Sequence, residues 1–467
     1  MKSEEIHYKS IIELAGMIST KEISPLEVTT AILNRIRKMD PQYKSYATVM
    51  EGHAMDAARH AEKEIVSGNY KGLLHGIPIA VKDLCFTAGV KTMGGCKVLA
   101  DHTPDFDATV VSRLEASGAV LMGKLNLTEG AMGGYNPEFD VPVNPWGANR
   151  WAGSSSSGSG VATALGLCYG SLGSDTGGSI RYPAAACGTV GLKPTWGRVS
   201  RYGVLPLAES LDHVGPLTRT SADAGIMLMA ISGFDTNDPT TLSETVPDML
   251  EDINGGVKGL RIGVNERYIS DGVDEELSKA VMAAVHELSA QGAHIVDIDI
   301  PDVEKYMPFW RTICTAEAAF AHREHYPSRR DEYGPFFQGW LDIGASVTAA
   351  DYIEANNMRN ECNGLLRTAM QNVDVIACPS MIGPAHEITL EQMYGPLDPN
   401  RNFRSMRFTV PYDYNGFPTL SVPCGFSNVG LPLSIQFVGR PLSEALLCRI
   451  GQTYENVTEW HSMHPVI

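Results

Sequence analysis

A chain of 467 residues with 43% hydrophobic and 19% charged side chains can bury a substantial core, which excludes a disordered or fibrous chain. Its formal charge of −17, with acidic residues spread along the length, argues against nucleic-acid or anionic-membrane partners. Nine cysteines stand singly with no Cys-x-x-Cys pair, a pattern of reduced, buried thiols rather than a disulfide framework. The polar start Met-Lys-Ser-Glu-Glu-Ile-His has no apolar signal core, and the small-residue run 160–170 is too short and glycine-rich to span a bilayer. A cytoplasmic chain is the expectation.

In chain order, Ser24-Pro-Leu-Glu27 forms a capping box with proline at the first helical position. It predicts a helix to about Lys38, with Val28, Ile32, Leu33 and Ile36 on one face. An alanine-rich helix is expected over 51–66. Gly76-Ile-Pro-Ile-Ala-Val81 reads as a buried strand that delivers Lys82 at its C-terminal end, where ligand sites gather in open α/β sheets. Residues 107–117 and 119–125 read as a helix and a strand. Two Gly/Ser-dense stretches, 153–159 and 173–181, read as loops. Later, 260–264, 274–291 and 294–300 repeat a strand–helix–strand pattern. Residues 419–422 and 433–438 read as strands joined by a turn at Asn428-Val-Gly430, followed by a helix over 444–454. The alternation of strands and helices predicts an α/β fold with the parallel part of its sheet buried.

The two Gly/Ser stretches and Lys82 hold the chemistry. In Gly173-Ser-Asp-Thr-Gly-Gly-Ser-Ile-Arg181, adjacent glycines let successive N–H groups turn to one side, and Pro183 suggests that a helix opens just after them. Such a nest suits a phosphate or an oxyanion. The P-loop pattern is missing, so a nucleotide cradle is disfavoured. Neither Ser155 nor Ser179 sits in a Gly-x-Ser-x-Gly elbow, which argues against an α/β-hydrolase nucleophile. A serine hydroxyl still needs a base, and a lysine serves only when burial and neighbouring dipoles lower its pKa from about 10.4.

These residues carry a resemblance. His75-Gly-Ile-Pro-Ile-Ala-Val-Lys-Asp83, the Gly/Ser block and the run from Gly173 through Leu192-Lys-Pro-Thr195 resemble the amidase signature family. So do Gly197-Arg-Val-Ser-Arg-Tyr-Gly203, Ser210-Leu-Asp-His-Val-Gly-Pro216, Gly416-Phe-Pro-Thr-Leu-Ser-Val-Pro-Cys-Gly425 and Val438-Gly-Arg440. The likeness spans nearly the whole chain and is thinnest over about 230–405. It implies a single domain over 1–467: a catalytic core at about 70–220, a variable substrate-side region at about 230–405, and a C-terminal sheet and helix at about 406–467. It also implies an α/β fold built on a large mixed, mostly parallel sheet with helices on both faces.

By position, the resemblance implies a Ser–cisSer–Lys triad. Ser179 would be the nucleophile and Lys82 the base, with Ser155 between them as the serine that follows a cis peptide bond. Backbone N–H groups of Thr176, Gly177, Gly178 and Ser179 would form the oxyanion hole. Ser154 and Ser157 stand where the family has glycines, so Ser154 and Ser156 compete for the bridging position; the 24-residue separation from Ser179 favours Ser155.

Four aromatic residues, Tyr135, Trp151, Phe309 and Trp310, are candidates for the substrate pocket, with core packing the alternative, evenly weighed for the last two. Asp175 and Arg181 read as a structural ion pair. Asp212-His213 invites a Ser-His-Asp reading, but neighbours in a strand point to opposite faces. His322-Arg-Glu-His325 fits neither zincin spacing and reads as a solvated helix face. No metal and no cofactor are expected.

The implied activity is hydrolysis of a carboxamide, anilide or carbamate through an acyl-enzyme, with a small-molecule amide as partner and a homodimer possible. The rival reading is the glutaminase-type A subunit of a tRNA-dependent amidotransferase.

Overall fold

Ser24 caps its helix as the capping box predicts: its hydroxyl accepts the Glu27 N–H, and the Glu27 carboxylate accepts the Ser24 N–H in return. The helix runs Pro25–Tyr43, past the expected Lys38 and through Pro41, before Lys44 ends it in a left-handed conformation. A proline so near the C-terminus removes only one late backbone bond. The alanine-rich segment is helical over Glu51–Val66, as expected. The computed structural model describes residues 6–398 and 403–466.

Eleven strands form one sheet: β1 Tyr46–Val49, β2 Pro78–Lys82, β3 Val120–Leu125, β4 Gly170–Asp175, β5 Val190–Lys193, β6 His213–Thr218, β7 Arg261–Val264, β8 His294–Asp297, β9 Val375–Pro379, β10 Thr419–Phe426 and β11 Pro432–Gly439. Their order is β1-β3-β2-β4-β6-β5-β10-β11-β9-β7-β8. The sheet is mixed as expected, but it is not mostly parallel. Only β2–β3, β2–β4, β7–β8 and β7–β9 pair in parallel; the other six neighbouring pairs are antiparallel. The reason lies in the connections. β10 and β11 are a hairpin, and β6 enters between β4 and β5 against both, so the centre of the sheet reverses direction.

Every residue of β2 to β6, β9 and β11 is buried. Because successive side chains point to opposite faces, both faces of this part of the sheet are covered. The edge strands β1 and β8 are partly exposed. No helix among the described residues is long and apolar enough to cross a membrane.

The two Gly/Ser stretches are less loop-like than expected. Ser157–Ala164 is already helix, and Gly173 to Asp175 are the end of β4. Small residues are required because the elements pack backbone to backbone. A Cβ on Gly153, whose φ is +84°, would lie 2.4 Å from the Pro183 Cα.

Candidate active site

Lys82 closes β2 between the parallel neighbours β3 and β4, wholly buried. Its Nζ donates to Ser155 Oγ at 2.6 Å and to Ser174 Oγ at 2.9 Å. Burial pulls the ammonium down to about 7, with only partial opposition from Cys85, Asp175 and Asp212. Near neutrality this lysine can therefore hold or release a proton.

The peptide bond between Ser154 and Ser155 is cis. Ser155 lies just ahead of the helix Ser157–Ala164, and the neighbouring hydroxyls have other partners. Ser156 Oγ donates to the Ser174 carbonyl and accepts the Ser174 N–H, both at 3.2 Å. Ser157 Oγ and the Tyr135 hydroxyl share a hydrogen bond of 2.7 Å. Of the competing registers, Ser155 is the one in contact with Lys82.

β4 ends at Asp175, and the chain then turns back into the helix Arg181–Cys187. The Asp175 carboxylate accepts the N–H groups of Gly178 at 2.6 Å and Ile180 at 2.9 Å, together with Arg181 Nε at 3.0 Å and Nη2 at 2.8 Å. Arg181 also reaches Asp413 at 2.7 Å. Burial alone would raise the Asp175 carboxyl, but Arg181 holds it well below the usual carboxylate range. The expected structural pair is thus present, with Asp413 as an added member.

Three carbonyls of this turn are anchored by other elements. Asp175 meets His213 Nδ1 at 3.3 Å, Thr176 accepts Trp310 Nε1 at 3.0 Å, and Gly177 accepts Thr409 Oγ1 at 2.7 Å. The Gly178 carbonyl accepts the Tyr182 N–H at 2.7 Å. Among the described residues, the N–H groups of Thr176, Gly177 and Ser179 have no protein acceptor. Gly178 differs from the expectation of four free donors, since its N–H already goes to Asp175.

Thr176, Gly177, Ser179 and Ser154 face a cavity of about 550 Å³. Its walls carry Met132, Met381, Met393 and Met406, and the rings of Tyr135, Trp151, Tyr182, Trp310, Phe336 and Phe403. Asp274 and His386 also contribute, but no lysine or arginine among the described residues does. Tyr135, Trp151 and Trp310 stand where a pocket role would need them. Phe309 does not line the cavity. It packs, half-buried, against the core, because the step from 309 to 310 on the helix Met307–Ala321 turns the side chain by about 100°. Ser179 Oγ, on the cavity side, makes no hydrogen bond to Lys82 or Ser155.

Asp212 and His213 point apart. Asp212, raised to about 6 by burial, accepts the Thr176 hydroxyl at 2.6 Å and the Leu207 N–H at 2.9 Å. His213 lies beside Asp175 and Asp413, its pKa driven well below the ordinary histidine value by burial and Lys193. His322 is no solvated face. It is buried against Phe337, meets the Tyr333 hydroxyl at 3.0 Å, and burial lowers it to about 4. No cluster of three or more His, Cys, Asp or Glu among the described residues could hold a metal ion.

Sequence reasoning missed Ser174. The residue is the last but one of β4, the strand beside the one Lys82 closes, but the β2–β4 pairing that brings them together spans about ninety residues of chain.

The family model described as Amidase matches residues 27–448. A Mycobacterium tuberculosis protein named "Putative amidase AmiD" is 43% identical over 468 residues, covering 100% of this chain and 98% of that one. The A subunit of the glutamyl-tRNA(Gln) amidotransferase from Thermosynechococcus vestitus is 37% identical, with 97% of this chain and 99% of that one covered. Among solved structures, the native peptide amidase of Stenotrophomonas maltophilia superposes with a TM-score of 0.85 at 28% identity, with 97% of each chain covered. The chain therefore belongs to the amidase signature family and is an amidase-family enzyme, a hydrolase acting on C–N bonds.

Proposed function

We propose that this enzyme hydrolyses an uncharged, apolar carboxamide or a related anilide or carbamate through an acyl-enzyme on Ser179. The observation that carries the reading is the buried contact from Lys82 to Ser155, at 2.6 Å, beside a turn that offers free N–H groups to the same cavity as Ser179. Neutral Lys82 takes a proton from Ser155, and Ser155 takes one from Ser179 as its Oγ adds to the carbonyl carbon. The carbonyl oxygen becomes an anion held by the N–H groups of Thr176, Gly177 and Ser179. The C–N bond then breaks, and the proton returns along the relay to the leaving nitrogen. Water, deprotonated by the same relay, cleaves the ester of Ser179 and releases the acid.

The cavity walls support the substrate class. Four methionines and six aromatic rings suit an aryl or alkyl group, and methionine adapts to irregular shapes. A second reading, a glutaminase-type A subunit, draws support from the similarity to amidotransferase A subunits. Against it stands the lining, in which no lysine or arginine among the described residues could pair with the α-carboxylate of glutamine. The test is a panel of aryl amides, anilides, carbamates and glutamine, assayed on the purified chain and on Ser179→Ala. Turnover of an apolar amide that vanishes in Ser179→Ala is the expected result; turnover of glutamine alone would favour the second reading.

A further inference from the structure

We propose that Trp310 is a positioning residue of the reaction: through the Thr176 carbonyl its indole N–H aims the Gly177 N–H at the developing oxyanion. This rests on the reading of Ser179 as nucleophile. A peptide unit is planar and trans, so the carbonyl of one residue and the N–H of the next point in opposite directions. Whatever grips the Thr176 carbonyl therefore sets the direction of the Gly177 N–H. The grip is Trp310 Nε1 at 3.0 Å, inside the protein.

The rest of the turn obeys the same rule. Thr409 holds the Gly177 carbonyl, and the Gly178 N–H behind it points away, to Asp175. The Tyr182 N–H holds the Gly178 carbonyl, and the Ser179 N–H behind it is left without a protein acceptor among the described residues. Gly178 is also the one residue of 176–179 that does not line the cavity. The glycines would otherwise let these peptide units rotate at little cost.

Trp310 is well placed to be rigid. It is 1% exposed and its ring packs against Trp340 and Phe403. Its indole covers Gly177 so closely that a Cβ there would lie 2.7 Å from Cζ2. The other end of Thr176 is tied as well, its hydroxyl donating to Asp212 at 2.6 Å. Of the three side chains that anchor carbonyls of the turn, Trp310 alone lines the cavity. A substrate group pressed on the indole thus bears directly on the aim of an oxyanion donor, which links the variable region to the rate and not only to fit.

The test replaces Trp310 by β-(3-benzothienyl)alanine, which keeps the ring shape and puts sulfur in place of N–H, with Trp310→Phe and Thr176→Val alongside. Removing an oxyanion donor outright costs about 10²–10³ in kcat, so misaiming one is expected to lower kcat about ten- to hundredfold with KM changed less than about twofold. Affinity for a boronic acid that forms a tetrahedral anion on Ser179 should fall in parallel, and Thr176→Val should move both values the same way by less. A rise in KM with kcat and boronate affinity unchanged would make Trp310 a wall only and overturn the proposal. The isosteric replacement keeps the outcome readable if Trp310→Phe does not fold. Ser179→Ala separates the two levels: retained turnover there removes the nucleophile reading, whereas an inactive Ser179→Ala with normal kcat in the Trp310 variant removes only this inference.

Discussion

The cavity joins two kinds of material. Its floor comes from Ser154 and the turn 176–179. Behind them Lys82 and Asp175, at the ends of β2 and β4, and Arg181 are wholly buried and hydrogen-bonded, while the N–H groups of Thr176, Gly177 and Ser179 have no protein acceptor among the described residues. Its walls come largely from 310–393 and 403–406, joined by Met132, Tyr135, Trp151 and Tyr182, and there methionine and aromatic side chains meet. A change in the floor leaves a buried charge or donor without a partner, which costs far more than the loss of an apolar contact. The floor should therefore govern rate and folding, and the walls preference among substrates.

Ser179→Ala is the sharpest test of that division. We expect kcat to fall by about 10⁴-fold or more with thermal stability nearly unchanged, since Ser179 Oγ makes no hydrogen bond with protein among the described residues. Comparable activity in the variant would take the nucleophile out of the floor.

Lys82→Ala should cost about 10²–10⁴-fold, the usual contribution of a general base. Its pH profile carries the sign. Burial lowers Lys82 to about 7, so the neutral form grows as pH rises through that value. Wild-type kcat/KM should climb through about pH 7 and level above about 8, and the residual activity of Lys82→Ala should lack this limb. A wild-type profile flat between about pH 6 and 8 would contradict the assignment.

Arg181→Ala tests the floor through stability. It strips the shared cation from the Asp175 and Asp413 carboxylates, and about 3–5 kcal/mol of folding free energy should be lost in urea denaturation. Trp151→Ala, in the wall, should shift kcat/KM ratios between bulky and small amides by about tenfold while leaving the denaturation midpoint close to wild type. Smallest of all, Phe309→Ala should change those ratios less than about twofold, because its side chain does not reach the cavity. A larger effect from Phe309 than from Trp151 would reverse the picture of the walls.

The floor was the more legible part. Lys82 after an apolar strand, the Gly/Ser stretches and the Asp175–Arg181 pair are local patterns, and local patterns survive folding because backbone geometry dictates them. The capping box at Ser24 and the helix Glu51–Val66 are further examples. The misreadings came where distant segments decide. His322 looked solvated until Tyr333 and Phe337 enclosed it. Phe309 and Trp310 were indistinguishable until the helix was set against the turn. The parallel character of the sheet was overestimated because strand–helix alternation does not reveal that β6 and the β10–β11 hairpin enter reversed.

By itself the sequence determined which side chains could do chemistry and where the backbone could turn, since glycine spacing, caps and strand ends are properties of a few consecutive residues. Only the tertiary structure decided which serine Lys82 touches, that Ser174 joins it, that the Gly178 N–H is taken by Asp175, and that a tryptophan 134 residues away grips Thr176. The physical reason is that hydrogen-bond partners and burial are set by strand pairing and helix packing across the whole chain, and no local pattern carries that information.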